Sequence, residues 1–114
     1  MKNAETLLVS FALKRKIHKT MLILGLKYDP EERSYFPTED FLLGNNIDTN
    51  ILDDVTFRAI GDCYAVTINT FGGISDATSD SYTVRSEEDL RKIKGFIEAA
   101  LQGFEPPVME GGII

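Results

Sequence analysis

The chain has one histidine, His18, and one cysteine, Cys63, and together they make its single thiol–imidazole pair for nucleophilic catalysis. Their neighbours argue otherwise. His18 stands among Lys14, Arg15, Lys16 and Lys19, the composition of a solvated helix face, and Cys63 opens an alternating apolar run, where a thiol usually serves as a small buried hydrophobe. Asn46, Asp48 and Asn50 have the alternate-residue oxygen spacing of a calcium loop. Counted from Asn46, however, Ile51 replaces the required glycine and Phe57 the bidentate glutamate, so turn chemistry is the better reading. Gly72-Gly73-Ile74-Ser75-Asp76 resembles a phosphate cradle in composition only. It is expected to join two strands, and no Lys or Arg lies between Arg58 and Arg85 to neutralise a phosphate. One Cys and one His cannot supply the usual zinc ligand sets. We therefore expect no catalytic residue, metal or cofactor.

Charge placement is more informative. Of 114 residues, 18 are acidic and 12 basic, a formal net charge of -6. Eight of the acids fall between Asp29 and Asp54 against one base, Arg33, while the rest of the chain is close to neutral. Tyr28, Tyr35, Phe36 and Phe41 are interleaved with these carboxylates. Acids replace phosphates and rings fill base-sized pockets when a protein plugs a basic cleft. Glu31, Glu32, Tyr35, Glu39, Asp40, Asp48, Asp53 and Asp54 are thus the expected partner-binding residues. The expected role is that of a non-enzymatic protein that inhibits or masks a basic partner, most concretely an immunity or antitoxin-type inhibitor of a bacterial nuclease toxin. A small acidic secretion-type chaperone that holds an unfolded client on an apolar face is the alternative, and a small enzyme the third. The overall sign argues against nucleic acid as partner, with the Lys14–Lys19 cluster read as a solvated face.

The lone cysteine and the absence of a long apolar segment point to a reducing, cytoplasmic setting with no membrane span, as a monomer or homodimer. Size and composition fit one domain over residues 1–104 with a tail at 105–114.

The elements that must position these residues are legible as periodicities. Apolar residues at intervals of three and four from Ala4 to Leu24 suggest an amphipathic helix; the rival reading, favoured here, ends the helix at about Lys19 and makes Thr20–Tyr28 extended, with Gly25 marking a helix end or a strand irregularity. Asp29-Pro30 starts a turn, and Ser34–Leu43, broken by Pro37, reads as short edge strands or a packed loop. Gly44–Asn46 is a turn, and Ile47–Asp54 is loop or a short helix. Val55–Ile60 and Cys63–Phe71 alternate as two antiparallel strands joined at Gly61-Asp62, with a polar turn to Ser79 and a further strand at Ser81–Arg85. Ser86 before Glu87, Glu88 and Asp89 is an N-cap signal for a helix over Glu87–Gln102, closed by Gly103. The sum is an α+β fold: a largely antiparallel sheet of three to five strands with the N-terminal and C-terminal helices packed on one face.

Overall fold

The computed structural model describes residues 4–71 and 77–107, and side chains from Phe11 onward within that range. The order is α1 (Ala4–Ile23), β1 (Leu26–Asp29), β2 (Ser34–Pro37), α2 (Glu39–Gly44), β3 (Leu52–Ile60), β4 (Cys63–Thr70), β5 (Thr78–Val84) and α3 (Glu87–Leu101). All five strands are antiparallel neighbours in the order β1-β2-β3-β4-β5. This is the expected α+β architecture, with five strands.

The helices cover one sheet face because each carries a stripe that only burial satisfies. Leu13, Ile17, Met21 and Leu24 from the α1 end meet Leu90, Ile93, Ile97, Ala100 and Leu101 of α3 in one core. Val55 on β3, Val66 and Ile68 on β4 and Tyr82 and Val84 on β5 complete it from the sheet. The alternate residues form the opposite sheet face, which is mostly polar. There Asn69 Nδ2 donates to Asp54 Oδ1 at 2.6 Å, Ser79 Oγ donates to Asn69 Oδ1, and the Thr67 and Ser81 hydroxyls are paired.

Several boundaries differ from the sequence expectation. α1 runs to Ile23, not to Lys19, because Met21 is fully buried in the core and only at Gly25, with φ of 90°, does the chain leave the helix. The extended stretch after it is therefore only Leu26–Asp29. β2 is an inner strand between β1 and β3, not an edge, and its proline lies at its last position. α2 was not expected as a helix: Thr38 caps it by accepting from the Phe41 amide at 3.1 Å, and Glu39 and Asp40 occupy its first turn. β3 begins at Leu52, three residues early, because Asp53 is the extra residue of an irregularity between Leu52 and Asp54 that interrupts the alternation. β5 likewise begins at Thr78, and the Gly72–Asp76 cradle lies outside the described residues.

α3 forms as its sequence dictates. The Asp89 amide donates to Ser86 Oγ at 3.3 Å and the Arg85 amide to Asp89 Oδ2 at 2.9 Å, a reciprocal cap. Its far end is held by the loop before β3, where the Ile51 amide donates to the Ala100 carbonyl and Thr49 Oγ1 to the Gln102 carbonyl, both at 3.0 Å.

Candidate functional site

α1 has a second stripe. Phe11, Arg15, His18 and Leu22 recur at intervals of four, three and four, which places them along the flank of the helix beside its core stripe. They face the β1–β2 hairpin and form one wall of an open groove of about 980 Å³, to which Lys14 and Lys19 also contribute. Tyr28, Arg33 and Tyr35 from the hairpin, with Phe57 from β3, form the opposite wall.

The rings in that wall are largely engaged with one another. Tyr35 and Phe57 stack with centroids 6.0 Å apart, Tyr28 tilts against Tyr35 at 4.8 Å, and His18 meets Tyr28 edge-on at 6.0 Å. His18 Nδ1 and Tyr35 Oη share a hydrogen bond at 2.5 Å. Tyr35 is only 2% exposed, and burial pushes its phenol up to about 12, with the charge of Tyr28 adding to the rise. The hydroxyl is therefore a fixed, neutral partner for the imidazole at physiological pH.

The cations are arranged differently. Lys16 reaches across to Glu87 at 2.7 Å, tying α1 to the start of α3 and holding the Glu87 carboxyl below its usual range. Lys14, Arg15, Lys19 and Arg33 make no ion pair among the described residues. Arg33 holds its place through the turn itself. Asp29 Oδ1 accepts the Glu31 and Glu32 amides at 2.9 and 3.4 Å, and Arg33 closes the turn at φ 54°, a left-handed conformation that L residues other than Asn or Asp seldom adopt. Apolar ends thus flank a cationic middle, with Phe11 66% and Leu22 47% exposed.

The acids expected to form one surface are divided by the hairpin. Glu31 and Glu32 sit exposed on the β1–β2 turn at one end. At the other end Glu39 and Asp40 open α2, and Asp53 stands exposed at the start of β3. Asp48 is exposed in the loop between them. Asp54 belongs to the sheet face opposite the core and accepts from Asn69, and Tyr35 is in the core with its hydroxyl on His18. Cys63 is buried and its thiol donates to the Ile60 carbonyl. It belongs to the sheet face opposite Phe57 and Tyr64, so it and His18 form no dyad. No cluster of potential metal ligands occurs among the described residues.

The groove residues Phe11, Leu22, Arg33 and Phe57 were not singled out from the sequence. A signal was present in α1: the step from Phe11 to Leu13 is two residues, so Phe11 cannot belong to the stripe of Leu13, Ile17 and Met21. Comparison with protein families, curated proteins and solved structures returns no match. Among the described residues no helix is long and apolar enough to cross a membrane.

Proposed function

We propose that this chain is a non-enzymatic binding protein that holds an acidic, partly apolar segment of a protein partner in the groove between α1 and the β1–β2 hairpin. One observation carries the reading: Lys14, Arg15, Lys19 and Arg33 surround the groove without acidic partners among the described residues, between exposed Phe11 and Leu22. Carboxylates satisfy the cations and aliphatic side chains cover the ends. A client-holding role on an exposed helix face is its nearest functional form. Of the lining rings, Tyr35 is buried, and Tyr28 and Phe57 both pack on it, which supports a protein segment over stacked bases as the occupant.

A fluorescent peptide of mixed Glu and Leu composition tests this by anisotropy. Binding is expected at low salt and weakens roughly tenfold in Arg15→Glu/Lys19→Glu. Equal binding by the double variant, or tighter binding of a single-stranded oligonucleotide, refutes it.

A second reading retains the acidic residues as the recognition surface: an inhibitor that masks a basic protein, of immunity or antitoxin type. It is supported by Glu39, Asp40 and Asp53, which are exposed at one end of the hairpin with no ion pair among the described residues. It requires capture of a folded basic protein that Glu39→Lys/Asp40→Lys abolishes and Arg15→Glu/Lys19→Glu leaves intact.

A further inference from the structure

α2 ends up beside the mouth of the groove. Leu26 pairs with Pro37, so the chain enters α2 at the junction of α1 and β1, and a methyl group built on Gly25 would lie 2.1 Å from the Phe41 ring. α2 therefore packs against the point where α1 ends. None of its residues is buried, and its Leu43 is 75% exposed. On the neighbouring last turn of α1, Leu22 and Ile23 are 47% and 64% exposed. An acidic helix, exposed apolar side chains and the Leu22 end of a cationic groove thus adjoin where α1 ends.

We propose that the groove is occupied by α2 of a second copy of this chain, in a reciprocal two-fold pair. This rests on the reading that the groove takes an acidic, partly apolar segment. Glu39, Asp40 and Leu43 supply that chemistry: two carboxylates for Arg15, Lys19 and Arg33, and an isobutyl group for the apolar end at Leu22. Size agrees. Six helical residues span about 9 Å, and Phe11 to Leu22 of α1 about 16 Å, so α2 fits within the groove's length. Adjacency also permits reciprocity. With the two-fold axis near Leu22 and Ile23, each copy's α2 lies over the other's groove and the exposed Leu22, Ile23 and Leu43 side chains meet between them. A closed pair of this kind covers apolar surface that a monomer leaves in water.

Charge exchange tests the pairing. The wild-type chain is expected to sediment as a dimer at low salt, with dissociation rising roughly tenfold or more in 0.5 M NaCl. Arg15→Glu/Lys19→Glu and Glu39→Arg/Asp40→Arg are each expected to be monomeric, because acids then face acids or bases face bases. An equimolar mixture of the two should restore a heterodimer, since both of its reciprocal contacts are attractive. Circular dichroism of each variant establishes that it is folded. Should the arginine pair unwind α2, Glu39→Gln/Asp40→Asn provides the weakened dimer without a reversed helix terminus. A monomeric wild type, association indifferent to all of these changes, no restoration on mixing two folded variants, or growth beyond dimers overturns the proposal. The Glu–Leu peptide assay keeps the two claims apart, because a monomeric chain whose groove still binds that peptide refutes the dimer and leaves the groove reading standing.

Discussion

Raising the pH above 10 should progressively destabilise this protein through two tyrosines, and the size of the effect follows from their burial. Tyr35 and Tyr82 are 2% and 1% exposed, and each phenol is raised to about 12, chiefly by burial. In the unfolded chain both titrate near 10. Between these values the unfolded chain has released protons that the folded chain still holds, so stability is complete below about pH 10 and falls as pH rises toward 12. Each tyrosine then costs about 1 kcal/mol at pH 11 and approaches about 3 kcal/mol above pH 12, where the two together rival the stability of a small domain. Urea denaturation followed by circular dichroism from pH 8 to 11.5 measures the slope. Tyr35→Phe loses the hydrogen bond to His18 and Tyr82→Phe the one its hydroxyl donates to the Pro107 carbonyl, so each variant should be about 1 kcal/mol less stable at pH 8. Neither variant carries its tyrosine's alkaline loss, so each should match or exceed the wild type at about pH 11. Parallel stability curves for wild type and both variants would refute the assignment.

Four further substitutions probe the framework of the fold and the groove. Gly25→Ala places a methyl group 2.1 Å from Phe41 at a φ of +90° and should cost roughly 2–4 kcal/mol by urea denaturation. In a Phe41→Ala background the clash is gone, so the two changes should cost less together than their sum. Arg33→Gly relaxes a left-handed arginine and should raise stability by roughly 0.5–1 kcal/mol while weakening peptide binding in the anisotropy assay, a separation that a purely structural Arg33 would not give. Ser86→Ala removes the cap of α3 and should lower the urea midpoint by an amount worth about 1 kcal/mol.

The fold was legible where a periodicity is long and repeats one demand. The alternation from Val55 to Thr70 and the capped stripe from Leu90 to Leu101 each specify one face for burial, and the structure places both faces in the same core. Legibility failed where several forces act within a few residues. Met21-Leu22-Ile23 is apolar enough for a strand, and only the depth of Met21 in the core keeps it helical. α2 is six residues long, and its strongest local signals are the Thr38 cap and two acids just after a proline, a pattern that also suits a turn. Asp53 disguised the start of β3 by adding one residue to an alternating register.

The groove is hidden in the sequence for a different reason: charge along the chain is not charge across space, and recognition depends on the latter. Arg33 counts as the lone base in an acidic stretch, yet the hairpin folds back along α1 and brings it to the groove lined by Lys14, Arg15 and Lys19. The same fold-back sends Glu31 and Glu32 to one end of the hairpin and Glu39 and Asp40 to the other, so an acidic segment that is continuous in sequence is divided in space. A sum over residues 29–54 is blind to that reversal, because the turn at Asp29–Ser34 and the helix at α2 decide which side chains share a surface. In the pairing proposed above, the acids of one copy's α2 meet cations that α1 and Arg33 of the other bring together, so the fold-back and not the sum along the chain decides which charges could meet.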